Sequence, residues 1–278
     1  MCYALGPMSQ YVMGHDAREL RRLEVQARWY SEQTRSLLVQ AGIQRGMRVV
    51  DFGCGLGDVT RILAELVGVA GEVVGVDRSE VALGNAARVP PSDGAGAVRW
   101  VCGDQHALKD EPAAFDAVVG RMVLMHQPEP VGTLRQLRGL VRSGGLVYFE
   151  EPDAELGMAS WPSAPLFEKI AGWFRQAVRA ANVHATVGRE LPRLFHEAGL
   201  PIPEARFAGR LETGPESDLY FLVTEAMRGL LPILERAAIA SASEVDLETL
   251  EERLRAESLA HGVSYRPALH IAAWTRVG

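Results

Sequence analysis

The 278-residue chain has no run of 18 apolar residues, so no helix of it is expected to span a membrane. Its N-terminal stretch lacks a basic region followed by an apolar core, and no signal peptide is expected. Only three cysteines occur, Cys2, Cys54 and Cys102, which form neither a disulfide framework nor a metal-ligand spacing. A reducing, cytoplasmic setting is the expectation that follows. Basic clusters are scarce: the net charge is −6, and Arg18, Arg21 and Arg22 make the one notable group. That argues against a nucleic-acid polyanion as substrate or partner. No internal repeat or low-complexity tract is present. Two phosphate-binding fingerprints are missing as well. In a G-x-G-x-x-G frame the third glycine is replaced by Asp58 counted from Gly53, or by Thr60 counted from Gly55, and there is no G-x-x-x-x-G-K-[ST].

What is present begins with a hydrophobic fraction of 47%, enough for the core of one large domain or of a domain with a cap. The stretch Val49 to Thr60, VVDFGCGLGDVT, organises the rest. A β-branched run enters Asp51, glycines follow at Gly53, Gly55 and Gly57, and a helical pattern starts. Glycine allows positive φ there and the close approach of a ligand, and the helix start offers free N–H groups. Asp51 and Asp58 flank the turn and would repel a pyrophosphate. A ligand with an ammonium group and no phosphate suits them better.

The next strand, EVVGVD, ends at Asp77, twenty positions after Gly57. An acid at that distance accepts hydrogen bonds from a ribose diol; a cap on the following helix is the alternative. Later apolar runs end at Asp104, at Arg121, and at Glu150, Glu151 and Asp153. The periodicity predicts strand 48–52, helix 58–68, strand 72–77, helix 79–88, strands 98–102 and 115–120, helix 128–142 and strand 145–151. Right-handed crossovers make this alternation a parallel doubly wound sheet that binds ligands at the C-terminal ends of its strands. Before it, one helix is expected from His15 or Asp16 to about Tyr30 and another over Glu32 to Gly42, lying as a lid. After it come helices over Trp161 to Ala181 and Glu190 to Leu200, a strand over Pro203 to Thr213, a helical stretch 217–262 and a final strand over Tyr265 to Val277. The domain plan is a lid at 1–45, a ligand-binding core at 46–155, and at 156–278 the rest of the sheet with helical insertions 156–187 and 216–262.

The series resembles the class I S-adenosylmethionine (SAM) dependent methyltransferases. The matching residues are DFGCGLG at Asp51 to Gly57, VVGVDRS at Val73 to Ser79, CGDQHAL at Cys102 to Leu108, FDAVVGRMVLMH at Phe115 to His126 and LVRSGGLVYFEEPD at Leu140 to Asp153. They cover about two-fifths of the chain, in its middle. The leader YVMGHDARELRRLEVQA, Tyr11 to Ala27, is similar to one found in bacterial small-molecule methyltransferases of this class. The resemblance implies a Rossmann-like doubly wound sheet of seven strands with an antiparallel last strand, plus a helical lid. The last two strands would form an antiparallel hairpin at the edge. It implies SAM as cofactor, S-adenosylhomocysteine as product and a small-molecule acceptor of natural-product type.

By the resemblance Asp104 would hold the adenine amino group with Gln105 beside it; a turn aspartate is the alternative. Arg78 would stack near the adenine or stay solvated. Arg121 would pair with the SAM carboxylate or with a core acid. Tyr11 would close over the sulfonium through a cation–π contact or anchor the first helix. If the acceptor must lose a proton, His126 is the first candidate base, with a helix-capping or satisfied core histidine as the alternative, Glu151 the second and Asp153 the third. No metal is expected, because on a strand residues 151 and 153 share a face while 150 points away. Trp161, Phe167, Trp173, Phe174 and His184 would line the acceptor side, with lid packing as the alternative for the aromatics, and the aromatics point to an apolar or aromatic acceptor. The segment GRMVLMH lacks the [DN]-P-P-[FY] signature of nucleic-acid and glutamine N-methylation. The rival readings are a SAM-binding enzyme of this fold without methyl transfer, of the pericyclase kind, and an RNA methyltransferase. A homodimer through the N-terminal helices is a further possibility.

Overall fold

The computed structural model describes residues 17–278 apart from 112 and 182. The chain opens with one helix, α1 (Ala17–Ala41), and β1 (Arg48–Phe52). There follow α2 (Asp58–Val67), β2 (Glu72–Asp77), α3 (Glu80–Ala86), β3 (Ala97–Cys102), β4 (Phe115–Arg121), a single 3-10 turn (Leu124–His126), α4 (Pro130–Arg138) and β5 (Val141–Asp153). The second half runs β6 (Ala159–Trp161), α5 (Pro165–Ala180), α6 (Val187–Glu197), β7 (Glu204–Ala208), α7 (Leu219–Arg236), α8 (Ala242–Val245), α9 (Leu250–His261), β8 (Ser264–Arg266) and β9 (Leu269–Arg276).

Seven strands form one sheet in the order β3-β2-β1-β4-β5-β9-β7. The pairs from β3 to β5 are parallel, and β9 is antiparallel to both of its neighbours. The order reverses between β1 and β4, which is the switch point where open α/β sheets bind ligands. The central strands are mostly apolar up to their C-terminal ends because helices cover both faces. One face packs on α4 and α6 through Leu134, Leu137, Leu191, Leu194 and Phe195. The other packs on α1 and α2 through Leu37, Leu38, Ile62, Leu63 and Val67. A third apolar cluster, away from the sheet, joins α1 to α5, α7 and α9.

The first helix corrects the expectation of two. It is continuous over 25 residues because one apolar stripe serves two bodies. Val25, Trp29 and Tyr30 pack into the third cluster, while Leu37, Leu38 and Ala41 pack on the sheet side. At 1.5 Å per residue such a helix is ~37 Å long, enough to bridge both. Other boundaries moved for local reasons. Helix α4 starts late because Pro130 sits at its first turn, and α5 starts at Pro165 for the same reason. Strand β5 extends back to Val141, which pairs with Phe115. The expected final strand is split at Pro267 and Ala268, and its first piece, β8, pairs with β6 in a small separate sheet.

Candidate functional site

The turn after β1 is fixed by its backbone. Gly53 and Cys54 both donate N–H to the Val76 carbonyl, at 2.8 and 3.0 Å, which ties the turn to the end of β2. Gly53, Gly55 and Gly57 have φ of 72°, 54° and 78°. A Cβ on Gly53 would sit 2.3 Å from Val123 Cγ2, whereas one on Gly55 would meet nothing within 4 Å. The first glycine is therefore required by packing, and the second leaves an open cradle. Helix α2 begins at Asp58 with no side chain capping its N-terminus, so its first N–H groups are available to a ligand. Gly53→Ala is expected to cost about 2–4 kcal/mol, from a left-handed alanine and the clash with Val123, and to lower the thermal midpoint in an unfolding scan.

A cavity of about 920 Å³ opens on this turn. Its floor is the C-terminal edge of the sheet: Asp51, Gly53, Gly55, Asp77 and Arg121. Its roof comes from α1 with Arg22, Gln26 and Tyr30, from α5 with Ile170, Phe174 and Val178, and from α7 with Leu222, Val223 and Met227. The volume lies at the upper end of the range for small-ligand sites, ~300–1,000 Å³.

Asp51 is buried and its Oδ2 accepts the Thr60 hydroxyl at 2.6 Å. Burial pushes its carboxyl up to about 7, against the pull of Thr60 and Arg121. Asp77 accepts the Gly55 N–H on Oδ2 and the Ser79 N–H on Oδ1, both at 2.9 Å. It thus holds the glycine turn and still has lone pairs for a ligand. Arg121 donates to Thr34 Oγ1 at 3.2 Å while lining the cavity. Arg78 lies at the exposed rim and donates to Gln127 Oε1 at 3.1 Å. His126 lines the cavity half-buried, and burial lowers its pKa, which keeps the ring neutral near pH 7. His184 lines it too, and its N–H donates to the Met125 carbonyl at 3.2 Å.

Several residues named from the sequence are not brought into the cavity. Glu151 is fully buried on the far side of the β4 loop, where its carboxylate accepts the N–H groups of Val123, Leu124 and Met125 at 3.0, 2.8 and 3.4 Å. With Met122 N–H donating to the Glu150 carbonyl, four successive amides of this loop are anchored on β5. Burial pushes the Glu151 carboxyl up to about 7. Asp104 caps its own turn by accepting the His106 N–H at 2.9 Å, and of this segment only Gly103 lines the cavity; Asp104 and Gln105 do not. Trp161 is 51% exposed on β6 under the Arg266 guanidinium. Trp173 is buried in the lid cluster beneath Lys169. The helical phase decides this: Ile170, Phe174 and Val178 recur every four residues on the cavity face, and Trp173 is a quarter-turn off it. Tyr11 lies outside the described residues.

The sequence pointed to the N-terminal helices and the insertion 216–262 as the enclosure, but singled out no residue of α7 and none of Arg22, Gln26 and Tyr30 on α1. A signal existed for the last three. They recur every four residues beside a stripe that is otherwise apolar, and polar groups on an inward helix face mark a cavity wall.

The residues present fit SAM. An acid lies where an ammonium is wanted, a second acid at the diol spacing, a guanidinium for a carboxylate, and an open glycine cradle lies between them. Comparison with known proteins agrees. Residues 24–204, more than half of the chain, match the family model described as Methyltransferase domain. Over 158 residues the chain is 30% identical to an uncharacterized 37.1 kDa protein of transposon TN4556 from Streptomyces fradiae, covering 57% of this chain and 44% of that one. Over 131 residues it is 32% identical to demethylmenaquinone methyltransferase of Staphylococcus aureus, covering 46% of this chain and 50% of the relative. The chain spans about half the length of these curated relatives. A solved structure described as a methyltransferase of an antibiotic biosynthesis pathway from Anabaena variabilis has the same fold, with a TM-score of 0.58 at 15% identity over 86% of this chain and 95% of that one. The chain therefore belongs to the methyltransferase domain family and is a class I domain that uses SAM as cofactor.

Proposed function

We propose that the protein transfers a methyl group from SAM to a small, largely apolar acceptor held between the sheet edge and the helical roof. The observation that carries this reading is a single cavity with two unlike walls. The charged floor suits the amino-acid and ribose parts of the cofactor, and the apolar roof suits a molecule without many polar groups. SAM, when bound, supplies a methyl group on a positively charged sulfur. The protein's part is positioning and the exclusion of water. Asp51 would hold the ammonium, Asp77 the ribose diol and Arg121 the carboxylate. Met122, Met125 and Phe174 would face the methyl group and the acceptor with soft, apolar surface.

The acceptor class is a proposal of the same kind. One relative is named for methylation of demethylmenaquinone, and an apolar ring acceptor of that sort fits the roof. An acceptor of secondary metabolism fits it equally. An RNA substrate fits less well, because the α5 and α7 parts of the roof are apolar and Arg22 and Arg78 alone would face a polyanion there. Calorimetric titration with SAM and with S-adenosylhomocysteine, followed by an acceptor screen that reads S-adenosylhomocysteine formation, tests the reading. Micromolar binding of both and turnover with an apolar acceptor are expected. Binding without turnover on any acceptor would favour the pericyclase-like alternative, and no binding would remove the cofactor assignment.

The Asp51 carboxyl gives this reading a pH signature. With its pKa near 7 in the free protein, the acid is mostly protonated at pH 6, and binding an ammonium group requires the carboxylate. The binding-competent fraction grows as pH rises, so SAM affinity is expected to increase roughly eightfold from pH 6 to 7.5. Asp51→Asn is expected to bind SAM more weakly and to flatten that dependence. Equal slopes in the two proteins would place the ammonium elsewhere.

A further inference from the structure

The cavity wall contains one more group that acceptor chemistry can use. Tyr30 of α1 and His270 of β9 both line the cavity, with their rings stacked at 4.3 Å between centroids and 19° between planes. Behind them Glu150 is fully buried. Its Oε2 accepts the hydroxyls of Thr34 and Tyr148, each at 3.0 Å. Its Oε1 faces His270 Nδ1 at 3.4 Å. Burial opposes charge on Glu150, yet His270, Arg121 and Thr34 together hold its carboxyl below the usual range. An ionised carboxylate fixed by two hydroxyls orients an imidazole. It favours the proton on Nδ1 and leaves the lone pair on Nε2. Tyr30 adds an independent observation. The residue is 6% exposed, and its hydroxyl makes no hydrogen bond among the described residues while the side chain lines the cavity. Such a hydroxyl on a cavity wall is suited to a ligand.

We propose that Tyr30 and His270 are the acceptor-side catalytic pair, that Glu150 positions His270, and that the acceptor carries an ionisable hydroxyl, phenolic or enolic. This rests on the methyl-transfer reading and narrows it to O-methylation. Tyr30 donates a hydrogen bond to an acceptor oxygen. The acceptor hydroxyl gives its proton to His270 Nε2, and an oxygen lone pair forms the O–CH₃ bond. The electron pair of the S–CH₃ bond stays on sulfur, which becomes a thioether. Glu150 stabilises the imidazolium and takes no proton.

The groups facing the imidazole are Glu150 on β5 and Tyr30 on α1. Tyr148 on β5, Thr34 on α1 and Arg121 on β4 act on it through Glu150. The test uses the full chain, ¹⁵N-labelled at histidine and saturated with S-adenosylhomocysteine. Long-range ¹H–¹⁵N spectra at pH 8 are expected to show His270 protonated on Nδ1 alone. Glu150→Gln should remove that preference, and His126→Gln should leave it intact. A ring protonated on both nitrogens, or on Nε2 alone, overturns the proposal, because neither leaves a lone pair for the acceptor. A second arm offers 2-naphthol, 2-naphthylamine and 2-naphthalenethiol with SAM. Naphthol is expected to be methylated in preference. His270→Gln and Glu150→Gln should lower kcat at least a hundredfold at unchanged SAM affinity, and Tyr30→Phe should raise KM for naphthol about tenfold. Methylation of the amine or thiol but not the naphthol, or turnover insensitive to His270→Gln, overturns the proposal while methyl transfer stands. Failure of the protein to bind S-adenosylhomocysteine would instead sink the methyl-transfer reading.

Discussion

Glu151→Ala is expected to destabilise the protein by about 3–5 kcal/mol and to lower its thermal midpoint by about 10 °C. The side chain is fully buried, and three backbone N–H groups converge on it. Removing it leaves those donors without an acceptor in an apolar surrounding, each costing ~1–3 kcal/mol, partly relieved where water enters. The loop they belong to is also strained, because Met122 has a φ of 52°, a left-handed conformation costly for a residue with a side chain. The carboxylate supplies the hydrogen bonds that hold the backbone there. The loss should spread to the cofactor site, since Val123 of this loop packs on Gly53. Glu151→Gln keeps the shape and one acceptor oxygen, so about 1–2 kcal/mol is expected. Differential scanning fluorimetry beside turnover separates the roles. An unchanged midpoint with lost turnover would return Glu151 to the catalytic group.

Asp77→Ala is expected to weaken SAM and S-adenosylhomocysteine binding alike, by roughly 10- to 100-fold, or ~1.5–3 kcal/mol. Both ligands carry the same ribose, so loss of the diol contact cannot distinguish them. The carboxylate also holds the N–H of Gly55 and of Ser79, and without it the glycine turn loses one of its anchors. Asp77→Asn keeps an acceptor oxygen but lacks the charge, and an intermediate loss is expected. Calorimetric titration of the three proteins gives the ladder directly. Equal affinities would mean that Asp77 serves the turn alone.

Strands β1 and β2 were legible to the residue, because a strand buried on both faces is a continuous apolar run ended by glycine or an acid. The glycine turn was legible for the same local reason. The lid was visible as helical segments but not as a surface. Trp173 and Phe174 are adjacent in sequence, and only the packing of α5 against α7 and α9 turns Phe174 toward the cavity and Trp173 into the lid cluster. Glu150 and Glu151 are adjacent too, and a strand sends them to opposite faces. Which face meets Thr34 and His270, and which meets the β4 loop, depends on neighbours distant in sequence.

Where the backbone must take positive φ, where the strands end and which acids stand at those ends can be read from neighbouring residues. These are local properties, set by side-chain volume, alternation and the absence of a Cβ. Which of the charged and aromatic groups share a cavity depends on how distant elements pack. Glu150 and His270 are 120 positions apart and become partners only because β9 inserts antiparallel beside β5. Tyr30 reaches them because α1 runs unbroken from the lid to the sheet. Contacts of that kind follow from the pairing of distant strands and the phase of distant helices, which no local pattern of residues encodes.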